Sequence, residues 1–459
     1  MNLLLAILGG VFLSGAFAPM SLWWLAPLGI ATHMYTLKRC ARPFLNSFIF
    51  AFTFNAIALN WTSIFVGSTP WLILAVGQAL LFIPLGLCRR FSISFYPLIF
   101  LVLEQIRSIF PFGGFGWLRI AYSQSDSPYR QIAAIGGAVA LSAIVLCVAL
   151  VFAAVFSRRL LITPILPLFL LMIPVQTHAI GEIKTLMVQG DVPKLGLDFN
   201  SRAKAVFANH VAETRKALAI NSDVDFILWP ENAVDVDPFT NSDVEKELNS
   251  FSQPLIIGAV IRNQGRLQNT SILWTKQSRQ IYIKRHLTPF GEYIPLRPLA
   301  QKISSLSQLV EDFHPGNTSP SFVIGKAKIA PVICFELVDD GLLSQAASTS
   351  HLFVVQTNSA TFGVSAQSAQ QLRISRIRAI EHGRNTLSVS TTGISAVIDS
   401  QGKILQSTQS HRPAHLFTTT QLLDSQTPRD MAGDWAQVGS FIWLVLLTSS
   451  RHRLRVAHR

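Results

Sequence analysis

Two patterns of hydrophobic and polar positions divide the chain. From residue 2 to about residue 177, apolar runs near the length of a bilayer span follow one another, broken by short basic clusters. Runs at 2–18, 21–37, 43–65, 70–88, 92–110, 131–156 and 160–177, with a last one at 434–449, read as candidate transmembrane helices. Several fall short of the ~20 residues a span usually takes, so their ends are loose. From about 183 to 430 the pattern changes to short apolar stretches closed by turn residues. It predicts strands over Thr185–Gln189, Asp225–Trp229, Pro254–Val260, Thr270–Trp274, Ile281–Lys284, Lys328–Cys334 and Leu352–Thr357. Helices are predicted over Ala203–Ala219 and Ala366–His382. A hairpin-like pair, Thr386–Val389 and Ile394–Ile398, follows with its turn at Ser400-Gln401-Gly402.

Strand and helix alternation followed by hairpins predicts an α/β sandwich with mixed sheets. Some 240 residues suffice for one substantial core. The expected organisation is a membrane domain over 1–180 with about seven transmembrane helices, an α/β domain over 181–430, and a final span with a basic tail over 431–459.

Composition agrees with the membrane reading. Half of the residues are hydrophobic and only 14% are charged, against about 25% in soluble domains. The net charge of +13 would suit a nucleic-acid binder, but its placement excludes that class. Lys38, Arg39 and Arg42 follow the second run, Arg89 and Arg90 the fourth, Arg158 and Arg159 the sixth, and Arg451, Arg453 and Arg455 the last. These are alternate connections, so the positive-inside rule puts both termini in the cytoplasm and the polar domain outside. The stretch 107–130, with Arg107, Arg119 and Arg130, is the exception. Ala16-Phe17-Ala18 has the look of a signal-peptide cleavage site, yet no basic stretch precedes it and Pro19 follows, so the first run is read as a span. Glu104 and Arg107 share a helix face near the end of the fifth run, as a functional pair or an ion pair reaching the interface.

Three polar residues end apolar strand-like runs: Glu231 in Leu228-Trp229-Pro230-Glu231, Lys284 in Tyr282-Ile283-Lys284, and Cys334 in Val332-Ile333-Cys334. A carboxylate, an ammonium and a thiol at one sheet edge suit acyl transfer through a thioester. The cation or base generates the thiolate, and donors are needed for the acyl oxyanion. Each residue also has a structural explanation. Cys334 suits inert packing, Glu231 a cap on the following turn, and Lys284, beside Arg285 and His286, a solvated basic face. Glu292 in Pro289-Phe290-Gly291-Glu292-Tyr293 suits a turn. The four cysteines form no disulfide or zinc spacing, and no metal or cofactor is implied. Cys334 is the lone cysteine of the outward-facing domain.

Together, Leu228-Trp229-Pro230-Glu231, the stretch Lys284 to Pro295 and Ile333-Cys334-Phe335-Glu336 resemble the apolipoprotein N-acyltransferases, the membrane branch of the nitrilase superfamily. The motifs keep the family's order. The stretch from Gly114-Phe115-Gly116-Trp117 to Ala121-Tyr122-Ser123-Gln124 resembles its membrane-side loop. The resemblance implies a multispan helical membrane domain plus an extracytoplasmic nitrilase-like αββα sandwich, in a bacterial plasma (inner) membrane. It implies Glu231 as general base, Lys284 as the cation that stabilises the intermediate and Cys334 as nucleophile. Glu292 would be a second active-site acid and Glu336 a supporting residue. The implied reaction is ping-pong: a phospholipid acyl donor loads Cys334 as a thioester, which acylates the N-terminal S-diacylglyceryl cysteine of an apolipoprotein. The implied enzyme is membrane-embedded, needs no cofactor, and is simplest as a monomer. Two other readings suit the same residues: a membrane-tethered amidase, in which water resolves the thioester, and a non-catalytic or altered-specificity paralogue.

The chain also departs from the family. Where Asn-Asp-x-Trp-Phe-Gly is usual it has Asn358-Ser359-Ala360-Thr361-Phe362-Gly363. Phe335 replaces a tyrosine, Gln370 and Gln371 stand near a usual histidine, and Ser388, Thr391 and Thr392 replace an arginine and asparagines.

Overall fold

A computed structural model of the protein describes residues 1–154, 175, 177–192, 204–303, 308, 310–319, 321–443 and 445. Most of the expected span at 160–177, the end of that at 434–449, Arg158, Arg159, Ala203 and the basic tail therefore lie outside the described residues. The chain forms two compact units: Met1–Ser63, Gly67–Val175 and Thr427–Arg459 in one, Ile64–Val66 and Gln176–Gln426 in the other.

The first unit is helical. Its helices include Asn2–Gly15, Leu25–Arg39, Pro43–Ala58, Ser68–Leu81, Tyr96–Ile109 and Ala133–Ala154, one overlapping each of the first six expected spans. Two helical stretches, Ser68–Arg89 and Arg130–Ala153, are long and apolar enough to cross a membrane. Pro43–Ala58 with Asn60–Val66, bent by 57°, makes a third if the pair is one span. Asn2–Gly15 is apolar but shorter. It packs closely on Leu25–Arg39: a Cβ on Gly29 would lie 2.5 Å from the Gly9 carbonyl oxygen, the close backbone approach that small residues permit between apolar helices. Glu104 and Arg107 turn inward within the helical unit. Both are buried, Glu104 accepting from the Ile120 N–H at 2.8 Å and Arg107 donating to the Leu118 carbonyl at 2.6 Å. They staple the stretch 118–120 to their helix.

The second unit is a two-sheet sandwich. Twelve strands are described: β1 Ala179–Gln189, β2 Phe226–Leu228, β3 Leu255–Asn263, β4 Arg266–Trp274, β5 Arg279–Ile283, β6 Phe322–Ile324, β7 Ala327–Ile333, β8 Leu352–Thr357, β9 Thr386–Ser390, β10 Ala396–Ile398, β11 Ile404–Ser407 and β12 Ala414–Leu423. One six-stranded sheet has the order β12-β1-β2-β3-β4-β5 and the other β11-β10-β9-β8-β7-β6. Strand alternation builds the layers. Phe226, Leu228 and Ile256 point into the core between the sheets, where they share a cluster with Ile329, Ile333 and Val354 of the facing sheet. Their neighbours Ile227, Trp229 and Leu255 point outward under the helices Ala205–Ile220 and Ser242–Ser250. On the far side, Leu372 and Ala379 of the helix Gln367–His382 cover Ala396 and Ile398. The layers are helix, sheet, sheet, helix.

Two sequence readings are corrected. The turn at Ser400–Gly402 joins β10 to β11, closed by the Gly402 N–H donating to the Asp399 carbonyl. It does not join the pair β9 and β10. The first strand starts at Ala179, before Thr185. Its first residues are exposed along the β12 ladder, so an apolar pattern marks only its buried half.

Candidate active site

In each sheet the central strands run parallel, β1-β2-β3 in one and β7-β8-β9 in the other. Their carboxyl ends are where side chains leave the ladder without losing backbone hydrogen bonds. Glu231 lies three residues beyond β2. The Trp229 N–H still donates to the Ile256 carbonyl at 2.8 Å, and Pro230, which has no N–H, ends the ladder. Beside this turn stands Gly258 of β3, where a Cβ would lie 2.4 Å from the Pro230 oxygen and 2.6 Å from the Glu231 Cα. Any larger residue would move Glu231.

Lys284 directly follows β5 and its side chain is 1% exposed. The Nζ lies 2.8 Å from Glu292 Oε2, 3.5 Å from Glu231 Oε1 and 3.4 Å from Thr288 Oγ1. It is therefore no part of a solvated basic face. Burial pulls its pKa down, but the Glu292 and Glu231 carboxylates outweigh burial and raise it, so the group is an ammonium at any physiological pH. Glu292 does sit in a turn, its N–H donating to the Thr288 carbonyl and its Oε2 accepting from the Thr288 N–H at 2.7 Å. That turn aims its carboxylate at Lys284.

Asn269 of β4 completes the group. Its Nδ2 donates to Glu231 Oε1 at 2.8 Å and to Glu292 Oε1 at 2.7 Å. One amide and one ammonium thus hold two buried carboxylates together. Burial raises the Glu231 pKa above the ordinary value of 4.5, Lys284 pulling it down and Glu292 pushing it up, with the Asn269 hydrogen bond and the neighbouring Cys334 thiol lowering it.

Cys334 comes from the facing sheet, directly after β7. Its φ of +49° is in the left-handed region, which a residue with a Cβ adopts only under constraint. A 3-10 turn, Cys334–Val338, follows. Glu336, fully buried, supplies the constraint. Its Oε2 accepts from the Ile333 N–H, and its Oε1 from the Tyr282 hydroxyl and the Arg285 N–H, each at 2.7 Å. Glu336 thereby fastens the end of β7 to the end of β5 across the sandwich, standing outside the group around Lys284. Arg378 secures the same turn, donating from Nε to the Leu337 carbonyl at 2.8 Å and pairing with Asp340 and Glu381. Burial pushes the Cys334 thiol up to about 12, Glu231 adding to this and Lys284 and Gln371 opposing it. At rest the sulfur keeps its proton.

The structure brings Glu231, Lys284, Glu292 and Cys334 together and places Glu336 behind them. Asn269, Gly258 and Gln356 carry no signal in a pattern of apolar residues. Gln356 of β8, buried beside Ile333, crosses the sandwich to donate to the Trp229 carbonyl at 2.7 Å. The one local clue is the run Asn269-Thr270-Ser271, polar residues in sequence in a strand and all buried.

The altered loop 358–363 is an ordered hydroxyl network. Ser359 Oγ lies 3.3 Å from Ser390 Oγ, Thr391 donates to Asn358 Oδ1 at 2.9 Å, and Ser390 Oγ accepts from the Gly393 N–H at 3.0 Å. A Cβ on Gly393 would meet the hydroxyls of Ser368, Ser359 and Ser390 within 2.7 Å. The small hydroxyl residues of this chain thus fit one another. Among the described residues no three His, Cys, Asp or Glu side chains converge to hold a metal.

Known proteins bear on this arrangement. The apolipoprotein N-acyltransferase N-terminal domain matches residues 9–151, and the carbon-nitrogen hydrolase family matches residues 200–427. The second match falls on the two-sheet unit, which is a nitrilase-like α/β fold. The Saccharomyces cerevisiae nitrilase-superfamily protein Nit3 is 16% identical, with a TM-score of 0.39, over 53% of this chain and 91% of that one. The apolipoprotein N-acyltransferase of Mycolicibacterium smegmatis is 31% identical, over 99% of this chain and 86% of that protein. Those of Photobacterium profundum and Coxiella burnetii are 26% and 27% identical, covering 97% and 98% of this chain and 94% and 100% of theirs. On these near full-length matches, the chain belongs to the apolipoprotein N-acyltransferase family.

Proposed function

We propose that the protein is a membrane acyltransferase that moves an acyl chain from a phospholipid to the α-amino group of the S-diacylglyceryl cysteine at the N-terminus of an apolipoprotein. Glu231 takes the proton of Cys334, and the thiolate attacks the phospholipid ester carbonyl. The C–O bond breaks, the departing alkoxide takes the proton from Glu231, and lysophospholipid leaves a thioester on Cys334. In the second half the amine attacks the thioester carbonyl and gives a proton to Glu231. The C–S bond breaks with its electron pair on sulfur, and the proton returns to the thiolate. The Lys284 ammonium and N–H groups of the Cys334–Val338 turn stabilise the oxyanion in both halves; one such donor is typically worth about 3 kcal/mol.

The observation that carries this reading is the Lys284 ammonium, 2.8 Å from Glu292 and 3.5 Å from Glu231, with the Cys334 thiol close enough to feel all three charges. The raised pKa of Glu231 suits a residue that both takes and returns a proton. Glu292 and Asn269 hold the pair, and Glu336 holds the turn of the nucleophile. We place residues 1–180 in a bacterial inner membrane as about seven spans, 181–430 on its outer side, and 431–459 as a last span with a cytoplasmic tail. Basic clusters on alternate connections support that orientation. The catalytic unit is monomeric in this reading, both lipid substrates reaching it from the bilayer.

The test is acylation of a diacylglyceryl-cysteine peptide by purified protein supplied with phospholipid. The peptide should gain the mass of one acyl chain, and Cys334→Ala should give none. A wild-type protein that yields no adduct, where an active family member acylates the same peptide, refutes the proposal.

A further inference from the structure

The sulfur of Cys334 has a neighbour outside the charged group. Gln371, 2% exposed on the helix Gln367–His382, donates from Nε2 to Cys334 Sγ at 3.4 Å. Its own Oε1 accepts from Gln367 Nε2 at 3.0 Å. The two glutamines are four residues apart and so share a helix face. Gln367 is 1% exposed, and its Oε1 has no hydrogen-bond partner. A buried acceptor left unmet costs about 1–3 kcal/mol. The chain carries that cost in an arrangement that uses the donor end of each amide, running from Gln367 through Gln371 to sulfur.

We propose that Gln371 is a catalytic hydrogen-bond donor to the Cys334 sulfur, and that Gln367 is the positioning residue that keeps the Gln371 amide from turning its oxygen toward it. The inference deepens the acyl-transfer reading and rests on Cys334 as its nucleophile. Sulfur carries negative charge at two points of that reaction: when the thiolate forms before attack, and when it leaves as the C–S bond breaks. A neutral amide donor eases both, and it remains a donor at every pH. The charged groups facing the sulfur divide. Glu231 and Glu292 disfavour a thiolate there, and Lys284 favours it while being shared between the two carboxylates. Gln371 supplies a donor that the carboxylates do not compete for. The Gln367 contact fixes its sense, because a flipped amide would set oxygen against sulfur and two NH₂ groups against each other.

The test is the alkylation rate of Cys334 by iodoacetamide in the full-length protein. It is followed on the Cys334 peptide by mass spectrometry, because Cys40, Cys88 and Cys147 are free as well. Gln371→Met keeps length and bulk and removes the donor. It should slow alkylation ~10-fold at fixed pH, one unit of thiol pKa. Gln371→Glu, which adds a charge beside sulfur, should slow it further, and Gln367→Leu should slow it about 3-fold. Unfolding has the opposite sign, since an exposed thiol alkylates faster. A cooperatively melting Gln371→Met that alkylates as fast as wild type, or faster, overturns the inference. Should that variant not melt cooperatively, Gln367→Leu decides in the same way. No acyl donor is needed, so the two readings fail separately. Slowed alkylation with no acyl transfer by the wild type sinks the acyl-transfer reading alone. Acyl transfer with unchanged alkylation sinks this one alone.

Discussion

The two sheets of the sandwich contribute to the site in unlike ways. The sheet containing β2, β4 and β5 contributes charge. Lys284 lies within ion-pair distance of both Glu231 and Glu292, and Asn269 bridges the carboxylates. The sheet containing β7 and β8 contributes the sulfur through backbone geometry, a residue at φ +49° held by Glu336 and approached by the neutral amide of Gln371. Charges buried in pairs set protonation states but place atoms loosely. A backbone turn tied by four 2.7–2.8 Å hydrogen bonds, three to Glu336 and one from Arg378, places one atom closely. The division predicts that damage to the charged sheet moves the acid limb of the pH–rate profile, while damage to the turn of the sulfur lowers the rate and leaves that limb in place.

The largest effect should come from removing the cation. Lys284→Met leaves Glu231 and Glu292 buried and facing each other with only Asn269 between them. Two such carboxylates cannot both stay ionised, and one takes up a proton. Acyl transfer should fall ~1,000-fold or more, since base, sulfur and oxyanion all lose a partner. The fold should lose about 3–5 kcal/mol, because a buried ion pair broken from one side leaves uncompensated charge. Thermal unfolding and the peptide acylation assay measure the two. A variant that keeps wild-type melting would mean that the charges are compensated elsewhere.

Next in size is the turn of the sulfur. In Glu336→Gln the amide oxygen can keep the Tyr282 and Arg285 donors, but the amide nitrogen then faces the Ile333 N–H, donor against donor. The unmet N–H costs about 1–3 kcal/mol. The Cys334 turn should shift enough to lower acyl transfer ~100-fold, the scale of a misplacement near 1 Å. Glu231, Lys284, Glu292 and Asn269 are all retained, so the acid limb set by Glu231 should stay in place. A displaced acid limb in this variant would break the division between the sheets.

How much of this was legible follows the same line. Glu231, Lys284 and Cys334 each end an apolar strand, where a polar residue interrupts a hydrophobic pattern, and the pattern marks them. Asn269 and Gln356 sit within strands, and Gln371 lies in a helix whose polar residues include Gln367, Gln370 and Arg378, all buried. Hydrophobic periodicity predicts burial of apolar groups. It says nothing about polar groups that are buried because a distant partner satisfies them. The β12 ladder fails for a related reason. Ala414–Leu423 joins β1 across more than 220 residues of sequence, and its polar Thr418, Thr419 and Thr420 hide a strand that is half exposed. Glu336 was legible as a residue next to Cys334, though its fastening of two sheets was not, since all of its partners are remote or backbone.

The finest test of the division is Asn269→Leu, which keeps the branching and heavy-atom count of the side chain and removes its hydrogen bonds to Glu231 and Glu292 but no charge. Asn269 lowers the pKa of Glu231, which burial has raised above its ordinary 4.5. Without that hydrogen bond the pKa rises again. In the proposed reaction Glu231 is the base and must be deprotonated, so activity grows as pH rises through its folded pKa and the acid limb of the pH–rate profile should move to higher pH. At neutral pH the loss should be about 10-fold, one hydrogen bond to a charged group. The stability effect has a matching sign. A carboxyl that holds its proton more tightly in the folded chain than in the unfolded one stabilises the fold fully below the unfolded value. That contribution is withdrawn as pH rises through the folded pKa. Asn269→Leu should therefore melt closer to wild type in mild acid than at neutral pH. Alkylation of Cys334 should follow the acid cluster and not the glutamine pair, since Asn269 reaches the sulfur only through Glu231. A variant whose acid limb stays in place while its rate falls evenly would put Asn269 with Glu336 as a device of position, and the charged sheet would then own less of the chemistry than its ion pairs imply.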